Sequence, residues 1–118
     1  MSSKPYIKVS EHAFDRLRER SGLNRSAANK LVVQAFTKGL KHGETVGRLF
    51  KWVSSASRTS RTGSTYRVYG DKLYIFSPDY KEENTFTLVT VMQVPSNLSN
   101  IVKVSREKKS KNHSGEHT

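Results

Sequence analysis

Tyr66-Arg67-Val68-Tyr69-Gly70-Asp71-Lys72-Leu73-Tyr74-Ile75-Phe76-Ser77 is the stretch on which the fold turns. Aromatic and β-branched residues fill two short runs, and the Gly-Asp pair between them suits a tight turn that needs positive φ. Residues 66–69 and 72–77 therefore read as a β-hairpin, ended by Ser77-Pro78-Asp79. Downstream, residues 79–84 are polar and turn-like. After them Phe86, Leu88, Thr90, Met92 and Val94 alternate with Thr87, Val89, Val91 and Gln93. A strand apolar on both faces belongs in the middle of a sheet, and Pro95 ends it because proline has no N–H for the ladder. Residues 101–104 read as an edge strand, and residues 105–118 as a disordered basic tail.

Upstream of the hairpin the hydrophobic period is helical. Ala28, Leu31, Val32, Ala35 and Phe36 follow i, i+3, i+4, i+7, i+8, with Asn24 able to cap the start and Gly39 closing the end. Before it, a strand over residues 6–9 leads to Ser10, a good N-cap, and to a helix over residues 11–21. That helix buries Ala13, Phe14 and Leu17 and stops at Gly22. Val46, Leu49, Phe50 and Val53 give a shorter helix over residues 45–54. Eight of the 12 residues from 54 to 65 are Ser or Thr, with Arg58 and Arg61 among them, so this reads as a mobile basic loop. Helices first and an antiparallel sheet afterwards predict one α+β domain over residues 1–104, with the helices on one sheet face.

The 118 residues carry 21 Lys and Arg against 10 Asp and Glu, a net charge of +11, and the excess is local. Residues 1–67 hold 14 basic and 4 acidic side chains, a net of +10, whereas residues 68–100 come to −2. Such a field favours polyanionic partners. With no cysteine there is no disulfide scaffold, thiol nucleophile or thiolate zinc site, and a reducing, cytoplasmic setting fits. The run 86–94 contains two Thr and one Gln, and the N-terminus lacks an apolar core, so neither a membrane span nor a cleaved signal is expected. Gly-rich phosphate loops and metal signatures are absent, so no cofactor or metal is called for.

His12, Arg16 and Arg20 stand at i, i+4, i+8 and form a stripe along one border of the first helix's apolar face. Imidazole can move a proton near neutral pH, and guanidinium can grip phosphate through two donors. RNA cleavage through a phosphorane needs both, without a metal. The same stripe is equally compatible with an ordinary solvated face.

His12-Ala13-Phe14-Asp15-Arg16-Leu17-Arg18-Glu19-Arg20 resembles the helix-borne "H, three residues, R, two residues, ER" signature of small phage and toxin-like domains of the barnase, EndoU, colicin and RelE superfamily of metal-independent ribonucleases. Leu88-Val89-Thr90-Val91 is similar to their terminal "apolar, apolar, T, V" strand. The resemblance covers residues 6–95, the middle by order of elements alone. It implies that His12 is a general acid or base, that Arg16 and Arg20 contact phosphate, and that Thr90 holds the scissile group. A second histidine is missing from the pattern, because His42 sits in a linker. Tyr69, with Tyr66 and Lys72, is the candidate for the second proton transfer, against the plainer reading of aromatics packing across a sheet.

Arg48, Lys51, Arg58, Arg61 and Arg67 are the remaining candidates for nucleic-acid contact, and the Lys-rich tail suits phosphate without sequence reading. Trp52 is placed either on a base or partly in the core. His113 and His117 stand at i, i+4 without an acidic or thiol partner. Two functions follow. One is a metal-independent endoribonuclease or toxin acting at His12 and Arg16. The other is a nonenzymatic phage accessory protein whose basic face binds nucleic acid, RNA rather than DNA, or a host protein. A protein inhibitor is a further expected partner of the first.

Overall fold

The computed structural model describes residues 4–60 and 63–115, with side chains through residue 110. The order is β1 (Tyr6–Val9), α1 (Glu11–Ser21), α2 (Arg25–Lys38), β2 (Leu40–Lys41), a 3-10 turn (His42–Glu44), α3 (Gly47–Arg58), β3 (Thr65–Tyr69), β4 (Lys72–Pro78), β5 (Thr85–Gln93), a second 3-10 turn (Ser96–Leu98) and α4 (Ser99–Gly115). The five strands form one sheet in the order β1-β5-β4-β3-β2. β1 runs parallel to β5, and the other pairs are antiparallel. The fold is α+β, with the first two helices on one sheet face.

The caps act as the residue types dictate. Ser10 Oγ accepts from the Ala13 N–H at 3.1 Å, and Asn24 Oδ1 from the Ala27 N–H at 2.8 Å. Gly22 takes the left-handed conformation (φ 64°) that lets its N–H reach the Arg18 carbonyl. Gly39 is required for a different reason: a Cβ there would lie 2.5 Å from the Ala35 carbonyl oxygen and 3.0 Å from the Arg67 Cβ. The end of α2 therefore lies directly against β3.

The sheet is covered on both sides. Alternate residues of β4 divide between two cores, Tyr74 and Phe76 facing α1 and α2, Leu73 and Ile75 facing α3 and α4. On the first face Phe14, Leu17, Val32 and Ala35 pack onto Leu88 and Val91. On the second, Leu49 and Val53 of α3 meet Val68, Leu98 and Val102.

Three expectations are corrected. Strict alternation along β5 fails, because Ile75 pairs with Thr90 while Phe76 pairs with Leu88, leaving Val89 as the extra residue of a β-bulge. Leu88 and Val91 therefore share the α1–α2 face, and Thr90 turns to the other. Residues 54–58 continue α3 instead of starting a loop. Ala56 packs on the second core, and Ser57 Oγ, Thr59 Oγ1 and Ser60 Oγ donate to carbonyls three or four residues back. Finally, α4 replaces the edge strand expected at residues 101–104 and carries residues 105–115 of the expected disordered tail. Leu98, Ile101, Val102 and Ser105 fit the helical spacing, and packing on the second core selects it. The free edge of β3 is taken by β2. Among the described residues no helix is long and apolar enough to cross a membrane.

Candidate nucleic-acid interface

The stripe on α1 points to solvent. His12, Arg16 and Arg20 are exposed and make no hydrogen bond or ion pair among the described residues. Glu11, Asp15 and Arg18 of the same helix are engaged. Arg25 donates to both Glu11 carboxylate oxygens at 3.1 Å and lies 4.1 Å over the Phe14 ring, while Arg18 stands 4.0 Å from Asp15.

Thr90 lies on the opposite sheet face from α1. With Thr59, Ser60, Ser64 and Ser77 it gives a hydroxyl-rich lining to a cleft of about 480 Å³, floored by Ile75, Val89 and Met92. Arg58, exposed at the last turn of α3, is next in sequence to this wall, whereas Arg61 lies outside the described residues. Tyr69 stands on β3, two strands from β5, which is about 10 Å at ordinary strand spacing. The structure therefore brings together neither His12 with Thr90 nor Thr90 with Tyr69.

Arg67 is committed to the fold. Its Nε donates to the Phe36 carbonyl at 2.9 Å, a guanidinium nitrogen donates to the Tyr66 carbonyl at 2.9 Å, and the guanidinium lies 4.8 Å over the Phe36 ring. Burial lowers its pKa, with Glu44 opposing the shift. Tyr66 is buried in the second core, and Lys72 pairs with Asp71 at 3.0 Å. Trp52 is half-buried against that core, the packing alternative.

His42 is more enclosed than a linker residue should be. Its Nε2 is 2.8 Å from Ser54 Oγ, its ring lies 4.9 Å from Phe50, and Tyr66 meets it at 5.9 Å. No motif marks this contact, because Ser54 is twelve residues away. Among the described residues no group of three His, Asp or Glu side chains gathers to hold a metal. His113 lies in α4, with its side chain outside the description, and His117 lies beyond the described residues.

A basic concavity lies where the sequence predicts a disordered tail. α4 crosses the tip of the β3–β4 hairpin and makes two adjoining chambers that share Gly70 and Arg106. The first, about 370 Å³, is bordered by Lys38, Tyr69 and Lys109 over Leu40 and Val68. The second, about 620 Å³, is bordered by Asp71, Gln93 and Lys103 over Val94 and Val102. Lys109 Nζ is fixed by Glu44 at 3.4 Å and the Gly39 carbonyl at 3.3 Å. Lys38, Lys103 and Arg106 have no ion pair among the described residues. Asp71 is held as a carboxylate, its pKa lowered by the Gln93 and Lys72 hydrogen bonds. A signal was present in the sequence: Leu98, Val102 and Ser105 at helical spacing put Lys103 and Arg106 beside the buried face. No family model matches the chain, and neither do any of the curated proteins or solved structures with which it was compared.

Proposed function

We propose that the protein is a nucleic-acid-binding module that grips RNA through its phosphates. One observation carries the reading. α3 and α4 pack on the same sheet face, and from Gly47 to Arg58 and Ser99 to Ser110 they hold seven Lys and Arg against one Glu, six of the seven exposed. Cations spread over adjoining helices attract a polyanion and release its counterions. The preference for RNA is supported by the resemblance of the α1 and β5 patches to ribonuclease domains. A cysteine-free chain suits the cytoplasm, and a host protein with an acidic surface would be drawn to the same face.

A second reading is favoured by the exposed, unpartnered His12–Arg16–Arg20 stripe: metal-independent RNA cleavage with His12 as acid or base. Here Thr90 and Tyr69 do not serve the same catalytic centre as His12.

Binding of labelled RNA by the purified chain across a salt series, with EDTA present, tests both readings. Affinity should fall steeply with salt, by about 0.7 in log–log slope for each single-strand phosphate engaged. Salt-insensitive binding would refute the first reading. Gel analysis of the same samples reports cleavage, and a loss of about 10² or more in His12→Ala would support the second.

A further inference from the structure

We infer that the groove beneath α4 is the path of a single nucleic-acid strand, with one phosphate on Arg106 above Gly70 and a nucleotide in the chamber on either side. This rests on the nucleic-acid-binding reading and assigns it a location.

The chambers, about 370 and 620 Å³, lie within the roughly 300–1,000 Å³ range of small-ligand sites. They meet at Arg106, whose side chain borders both. Arg106 is exposed, has no acidic partner, and offers the forked donors that suit a phosphate. Lys103 and Lys109 stand three residues to either side of it on α4, steps of about 4.5 Å along the helix axis. Lys38 adds a cation across the first chamber. A strand crossing here would meet Lys103 and Arg106 on α4 and Lys38 across the first chamber, cations unpaired among the described residues, while Lys109 is held by Glu44 and the Asp71 carboxylate borders the second chamber.

The floor argues for a single strand over a duplex. Leu40 and Val68 in one chamber and Val94 and Val102 in the other are apolar, while Tyr69, at the border of the first chamber, packs its side chain against the first core. Apolar concavities of this size admit an unstacked base, with its phosphates on the cationic rim. A duplex keeps those faces inside and offers chiefly its backbone. Gly70 keeps the crossing point open: its φ of +61° favours glycine, and nothing lies within 4 Å of where a Cβ would be. The hairpin tip is braced from below by Gln93, which donates to the Asp71 carbonyl and carboxylate at 2.9 and 3.0 Å.

The test uses the full chain, fluorescence anisotropy, and a labelled oligouridine beside a duplex RNA of the same length. Lys103→Gln with Arg106→Gln should lower the log–log salt slope for oligouridine by about 1.4, two phosphates at about 0.7 each. Lys30→Gln with Lys81→Gln, both exposed and neither bordering the groove, should leave that slope unchanged. An oligodeoxythymidine arm separates RNA from single-stranded DNA. If wild type binds oligouridine and the α4 double variant keeps the full slope, the groove is refuted while the parent reading survives. If wild type binds neither nucleic acid, both fall. Duplex bound more tightly than oligouridine, with the same dependence on Lys103 and Arg106, would overturn the single-strand assignment. With the unsubstituted protein, photocrosslinks from an iodouridine oligonucleotide should map to the β3–β4 hairpin tip and α4; crosslinks on α1 or beside Thr90 would overturn the proposal.

Discussion

Arg67→Met separates a structural cation from a ligand-binding one. Arg67 keeps its aliphatic stem in this replacement but loses the guanidinium that donates to the Phe36 and Tyr66 carbonyls at 2.9 Å each. The Phe36 carbonyl belongs to the last turn of α2, where helical acceptors lack intrahelical partners. Hydrogen bonds to a charged group contribute about 1.5–3 kcal/mol, and a cation over a ring adds about 0.5–1 kcal/mol. The pair is half-buried and the Tyr66 carbonyl retains its sheet environment, so about 3 kcal/mol in total is expected, a fall in Tm of roughly 10 °C. Urea denaturation gives the first quantity and thermal circular dichroism the second. RNA affinity of the folded variant, and its salt slope, should match wild type. A variant as stable as wild type with a slope reduced by about 0.7 would refute the reasoning and return Arg67 to the phosphate contacts.

Two more perturbations probe the packing. Ser105 is fully buried in α4 and its hydroxyl has no hydrogen-bond partner among the described residues, so Ser105→Ala should be neutral or stabilising by up to about 1 kcal/mol in urea denaturation. A loss of more than that would mean the hydroxyl is bonded. Burial, with Asp71 and Tyr69 nearby, raises the Tyr74 phenol from 10.0 to about 12. A raised acid pKa favours the neutral form in the folded state, so this contribution is intact below pH 10 and is lost as pH rises from 10.0 towards about 12. Tyr74→Phe should flatten the alkaline fall in stability, and an unchanged fall would assign it to another group.

Much of the local structure was legible because it depends on near neighbours. Ser10, Asn24 and Gly22 act through bonds to residues three or four positions away, and the Gly70-Asp71 turn needs only its own backbone angles. The Val89 bulge was not legible, since it is a mismatch between β4 and β5 and leaves the alternation of β5 alone looking regular. It turns Thr90 away from the sheet face on which α1 packs. Arg67 and His42 show the same limit: the carbonyl of Phe36 and the hydroxyl of Ser54 are 31 and 12 residues distant, and their partners cannot be read from spacing.

By itself, the sequence determined the α+β class, the first two helices with their caps, the central hairpin and the concentration of positive charge, all of which follow from period, capping chemistry and composition. Tertiary structure decided the parallel β1–β5 pair, the second helical layer and the groove under α4. Ile101, Val102 and Val104 are compatible with a short strand, and Leu98, Ile101 and Val102 with one helical face. The second core, which buries Leu98 and Val102 against Leu49 and Val53, selects the helix, and only that helix brings Lys103, Arg106 and Lys109 over the hairpin.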